Sequence, residues 1–206
     1  SVIAMILGIC MAMVQDDYKR IIAYLAVGEL GYIGVGIALG TAYSITAGLF
    51  QAVNELVVTS FLFIGFGLVL YKTKTSKVSK LGGLAEDMPV AALLTVLAGL
   101  TMAGVPPFNV FQSKYMLVQA SLQAGIPELA IIMIILSIVT FLAFLKMAYA
   151  IFLRPKPDDL EVSSASVPKT TMVVMVVFLI ICLVIGLFPS LVTSRLAYMA
   201  IAALAL

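Results

Sequence analysis

The sequence predicts an all-α fold, a polytopic transmembrane helical bundle of about six spans with one broken helix, and three observations predict it. Of 206 residues, 63% are hydrophobic and 11% charged, with a mean hydropathy of +1.20, far outside the balance of a soluble globular domain. Apolar runs of helix length follow one another across short polar junctions, and a hydrocarbon core of about 30 Å takes about 20 residues per crossing. Charge gathers in alternate junctions: those after the first, third and fifth runs hold nine of the twelve basic residues, Lys19, Arg20, Lys72, Lys74, Lys77, Lys80, Arg154, Lys156 and Lys169. That asymmetry marks cytoplasmic loops, so the N-terminus is expected on the outer side of a plasma or other energy-transducing membrane. No soluble domain fits beside the spans, and residues 1–206 read as one transmembrane domain.

Taken in order, residues 1–14 are apolar but too few to cross a bilayer unless something precedes them. A first residue other than Met suggests a processed, truncated or split product. The run has neither a basic n-region nor an A-x-A site, so it does not read as a signal peptide. The polar junction QDDYKR leads to a second span, 21–40, and the uncharged link TAYSIT to a third, 47–71. Asp16, Asp17, Lys19 and Arg20 read as a solvated cluster capping helix ends. The stretch 88–124 is too long for one straight helix and is cut at 104–109 by GVPPFN. Proline removes a backbone donor, clashes with the preceding turn and restricts the residue before it. Non-helical backbone at membrane depth is tolerated only where protein buries it or water reaches it. Pro127 opens a fifth span, 127–153, and the sixth covers 170–188. Residues 189–206, with Arg195, read as an amphipathic tail at the interface.

Four ionisable side chains fall inside these spans: Glu29, Glu55, Lys114 and Lys146. An intramembrane charge is a functional hypothesis by default, because insertion there costs about 2.5–3.5 kcal/mol for Asp, Lys or Arg. Counting about 1.5 Å per residue from the basic ends, Glu29 and Lys146 lie about 12–14 Å deep and Glu55 near the midplane. Gln51 and Thr59 lie four residues to either side of Glu55, which puts amide, carboxyl and hydroxyl on one helix face as a polar column. Val57, Val58, Phe61 and Leu62 supply apolar surface around the remainder. Each group also has a plainer reading: Lys114 as a snorkelling lysine, Glu55 as a protonated interhelical hydrogen-bonding residue, Glu29 as structural, Lys146 as packing near a cytoplasmic mouth. Histidine is absent, so proton chemistry falls to carboxylates, lysines, hydroxyls and water. Cys10 and Cys182 sit alone in apolar runs and read as packing residues, with no metal or cofactor expected. No basic patch outside the loops supports nucleic-acid binding.

Three stretches resemble the antiporter-like subunits shared by respiratory complex I, membrane-bound hydrogenases and Mrp-type Na⁺/H⁺ antiporters. QDDYKRIIAYLAVGELGYIGVGI resembles the family's Q-x-D-x-K-R-x-x-A-Y segment with its later G-Y. LFQAVNELVVTSFLFIGFG lines up with L-F-H-x-x-x-H-A-F-F-K-A-L-L-F-x-x-x-G. GLAEDMPVAALLTVLAGLTMAGVPPFNVFQSK resembles G-L-x-x-x-M-P through G-x-P-P-F-x-x-F-x-S-K. The resemblance implies the C-terminal half of such a subunit, its second inverted repeat plus a final helix, with the first half supplied by another polypeptide. It also implies that Lys114, at the motif's lysine, exchanges protons with a central axis. The family's two histidines and lysine correspond to Gln51, Glu55 and Thr59, so one titratable group replaces three, while Glu29 stands where many members have a neutral amide.

The expected function is translocation of H⁺ or Na⁺ among Lys146, Glu29, Glu55 and Lys114, within a larger membrane complex whose other subunits carry any oxidoreductase chemistry. No catalytic nucleophile or nucleotide motif is apparent in the sequence. The rival expectation is a non-conducting scaffold that anchors a redox arm.

Overall fold

The computed structural model describes residues 1–204. Residues 205–206 of the expected tail lie outside the described residues. The chain runs α1 (Val2–Met13), α2 (Tyr18–Ala38), α3 (Ala42–Thr73), a 3₁₀ turn (Val78–Lys80), α4 (Leu84–Asp87), α5 (Pro89–Ala103), α6 (Asn109–Gln123), α7 (Pro127–Ala148) with a π-helical turn (Tyr149–Leu153), α8 (Lys169–Leu187) and α9 (Ser190–Leu204). Four of these, α2, α3, α7 with its π turn, and α8, are long and apolar enough to cross a membrane. The expected broken span is α5 and α6, and α1 is a shorter apolar helix.

One element departs from the sequence reading. The link TAYSIT is helical from Ala42, because Thr41 and Ser44 form a reciprocal capping box: Ser44 N donates to Thr41 Oγ1 at 3.0 Å and Thr41 N to Ser44 Oγ at 3.1 Å. Two orphan amides are thereby satisfied, and α3 runs for 32 residues, about 48 Å. The tail expected at the interface is helical as α9, which packs on α3. Ala200 is fully buried, and Thr193 and Ala197 share a cavity wall with Tyr43 and Thr46.

The basic junctions converge at one end of the bundle. Asp17 and Lys77 pair as an antiparallel bridge, and Tyr18 N donates to Ser76 O at 3.1 Å. Arg154 donates to Ser79 O at 2.7 Å and to Leu81 O, while Lys72 Nζ donates to Ser163 O at 2.8 Å. The Asp–Lys cluster is thus partly structural: the Asp16 and Asp17 carboxylates accept from Ser79 and Ser76.

The core has two apolar clusters. The larger, around Phe61, Phe66, Phe144 and Met102, fills the half towards the basic end. The smaller holds Met5, Ile9, Tyr32, Val35, Ala47, Leu117 and Met133. One set of buried polar residues on α2, α3 and α6 sits between members of the two clusters: Glu29 between Leu25 and Tyr32, Gln51 to Glu55 between Ala47 and Val58, Ser113 and Lys114 between Val110 and Leu117. Cys182 is buried in the larger cluster, whereas Cys10 is exposed on the bundle surface.

Candidate functional site

The broken helix builds the cation site. Gly104 closes α5 in the left-handed region at φ 81°, with Gly104 N and Val105 N bonding back to Thr101 O and Leu100 O. Pro106 and Pro107 then keep the chain out of helix until Asn109. Glycine adopts that backbone without a Cβ penalty, so the helix ends inside the bundle with carbonyls of its last turn free to accept. Lys114 Nζ takes one of them, donating to Met102 O at 3.3 Å. A cation is favoured at a helix C-terminus by the aligned peptide dipoles. The same ammonium makes an ion pair with Glu29 Oε1 at 2.7 Å and sits 4.9 Å from the centre of the Tyr32 ring. Both charged groups are buried, which disposes of the snorkelling alternative for Lys114.

Glu29 is held from its second oxygen by α3. Gln51 Nε2 donates to Glu29 Oε2 at 2.8 Å, and Gln51 Oε1 accepts from Ser113 Oγ at 2.6 Å. Ser113 in turn accepts from Asn54 Nδ2 at 2.9 Å, and Asn54 Oδ1 accepts from Asn109 Nδ2 at 2.9 Å. Asn54, Asn109 and Ser113, each fully buried, were missed by a reading that looked for charge. Their signal was spacing: Asn54 follows Gln51 by three, and Asn109 precedes Ser113 by four, which puts each pair on one helix face.

The structure brings together Glu29, Lys114 and Gln51, and it leaves the others apart. Glu55 accepts from Thr59 Oγ1 at 2.6 Å, but its Oε2 is buried without a hydrogen-bond partner. Among the described residues no hydrogen bond joins Glu55 to Gln51 or Lys114, so the expected column is two segments. Gln51 turns to α2 and α6, while Glu55 and Thr59 pair along α3. Lys146 is exposed, its Nζ 3.4 Å from Met13 O. It lies beside Asp16 and Gln15 in a cleft of about 110 Å³, and on its other side edges an apolar groove between α5 and α7 of about 790 Å³. Nothing among the described residues connects it to Glu29 or Lys114.

Lys114 also reaches a cavity of about 490 Å³ between α6 and α7, bounded by Tyr32, Tyr115, Ser137 and Ile138. Tyr32 Oη donates to Met133 O at 2.7 Å and lies 3.2 Å from Ser137 Oγ. Beyond it Tyr43 Oη, Gln119 and Tyr115 Oη form a hydrogen-bonded chain at 2.7 and 2.9 Å. Among the described residues no group of three or more His, Cys, Asp or Glu is placed to hold a metal ion. A buried acid–base pair bounded by hydroxyls and a cavity can bind, hold and exchange a proton or a small cation.

Comparison with known proteins identifies the family. The chain is 44% identical over 198 residues to an uncharacterized protein of Methanocaldococcus jannaschii, covering 95% of this chain and 41% of that protein. It is 31% identical over 204 residues to Na⁺/H⁺ antiporter subunit A1 of Staphylococcus aureus, covering 87% of this chain and 26% of that one. The chain therefore spans less than half the length of these relatives. In fold it matches a chain of the Mrp complex from Dietzia sp. with a TM-score of 0.89 at 23% identity, over 98% of this chain and 46% of that chain. Residues 1–140 match the model of the NADH:quinone oxidoreductase/Mrp antiporter transmembrane family, and the chain belongs to that family.

Proposed function

We propose that this chain supplies half of an ion-translocation unit, moving H⁺, Na⁺ or both within a complex I-related, hydrogenase-like or Mrp-type membrane assembly. The observation that carries the reading is the Lys114–Glu29 pair at 2.7 Å, formed at a helix break and enclosed between two apolar clusters. Such a pair is weak evidence for stability, since desolvation of both ions offsets their attraction, so a role in handling ions explains its presence better. Lys114 and Glu29 form the centre, Gln51 positions Glu29, and Glu55 with Thr59 forms a second station one turn along α3. Lys146 stands outside the centre, at the basic end. By the charge asymmetry of the loops, that end faces the cytoplasm and the N-terminus faces outward. The first half of the unit comes from another segment or subunit, as the coverage of the relatives suggests.

Everted membrane vesicles carrying the assembly, read with a pH-sensitive dye, test the reading. Lys114→Ala and Glu29→Gln each abolish the proton movement that accompanies an imposed sodium gradient or electron donation, with the subunit still assembled. Full activity in both variants would leave the chain as a scaffold, the reading favoured by the unbridged gap between Gln51 and Glu55.

A further inference from the structure

We propose that Asn54, Ser113 and Asn109 are positioning residues that lock the Gln51 amide with its nitrogen on Glu29, so that Glu29 is held as the anionic partner of Lys114. The inference rests on the translocation reading above and goes beyond it by giving three uncharged residues a role in holding Glu29.

The direction of every hydrogen bond in the chain follows from one backbone atom. The carbonyl of Asn109 can only accept, so the Asn54 group 3.1 Å from it is the amide nitrogen. That nitrogen also reaches Ser113 Oγ, and Asn54 Oδ1 is left to face Asn109 Nδ2. Ser113, receiving a hydrogen from Asn54, has its own to give, and the nearest acceptor is Gln51 Oε1 at 2.6 Å, with Val110 O further off at 3.1 Å. With its oxygen occupied, Gln51 offers Glu29 only a donor.

Both oxygens of Glu29 therefore face donors, Lys114 Nζ at one and Gln51 Nε2 at the other. A proton on Oε2 would point at the hydrogens of the Gln51 amide, and one on Oε1 would point at the Lys114 ammonium. Gln51 could accept from a protonated Glu29 only by turning its amide over, and the Ser113 and Asn54 bonds oppose that turn. Lys114 donates to Glu29 and to Met102 O and borders the cavity of about 490 Å³, so the locked carboxylate sits one residue back from that cavity. The titratable and charged groups facing Glu29 are Lys114 from α6, Glu55 from α3 and Tyr32 from its own helix.

The test compares translocation against pH for Ser113→Ala, Asn54→Leu and Ser113→Thr in the intact assembly. Ser113→Ala and Asn54→Leu free the Gln51 amide to turn, and the acid limb of the rate curve moves to higher pH by about one unit, a tenfold change in proton occupancy. Ser113→Thr, which keeps the hydroxyl, returns the limb to its original place. Curves that overlie the unaltered protein, or rates that fall equally at every pH, overturn the relay. If Asn54→Leu does not assemble on a native gel, Ser113→Ala and its Thr counterpart decide. Full translocation in Lys114→Ala overturns the underlying reading instead, whatever Ser113→Ala does.

Discussion

At the scale of single residues, Lys114 and Glu29 depend on each other more than on anything else nearby. Removing one partner of a buried ion pair leaves an uncompensated charge and costs about 3–5 kcal/mol, whereas replacing both with apolar groups of similar size is often neutral. Thermal unfolding of the solubilised assembly should therefore show Glu29→Met and Lys114→Met each strongly destabilised, and the double variant nearer to the original than either single one. Glu55 makes a contrasting case, because its single bond to Thr59 leaves one oxygen unpartnered. Glu55→Gln keeps the acceptor for Thr59, so a drop in translocation with unchanged unfolding would mark a proton station. The sequence made these groups visible, since a carboxylate or ammonium in an apolar run stands out by its cost. Which acid pairs with Lys114 was not visible, because it depends on how α2 and α6 are rotated against each other. Asn54, Ser113 and Asn109 passed unnoticed because uncharged polar residues are common in spans.

Between elements, close approach decides what each helix tolerates. A Cβ on Gly99 of α5 would lie 1.6 Å from the Phe144 ring of α7, while one on Gly67 would meet nothing within 4 Å. Gly99→Ala should cost about 1–3 kcal/mol through overpacking, and Gly67→Ala should gain up to about 1 kcal/mol of helix propensity. Thermal midpoints of the two variants should move in opposite directions. The joint between α2 and the loop after α3 adds a pH dependence. Burial alone would push the Asp17 carboxyl up, but the Ser76 hydroxyl and the amides of Lys19 and Arg20 outweigh it and hold the group below its ordinary 3.8. A depressed folded value gives stability that is present above the unfolded value and lost as pH falls through the folded one. Asp17→Asn should flatten the acid side of the stability curve in that window. The helix break was plain from GVPPFN, because consecutive prolines leave the backbone little choice. The early start of α3 rested on a Thr–Ser capping box at 41 and 44, in a stretch read as a short uncharged link.

For the whole molecule, the two ends of the bundle differ in kind. One end gathers the junctions that hold nine of the twelve basic residues and stitches them together through Asp17, Ser76, Ser79, Arg154 and Lys72. The other has the glycine turns at Gly40 and Gly125 and the Tyr43–Gln119–Tyr115 chain. The sequence anticipated this division because charge and hydropathy are read one residue at a time. It did not anticipate that a polar layer crosses α2, α3 and α6 between two apolar clusters, which exists only once the helices are side by side. On the proposed translocation reading, an ion reaching Lys114 from the α6–α7 cavity enters at this layer, and the orientation of the ends decides the side it comes from. Cysteines placed at Lys80 and Ala124, exposed at opposite ends, resolve that orientation. With membrane-impermeant thiol reagents, Lys80→Cys should label only from the cytoplasmic face and Ala124→Cys only from the outer face. The reverse pattern would place the basic junctions outside, and the α6–α7 cavity would then deliver protons to Lys114 from the cytoplasmic side of the membrane.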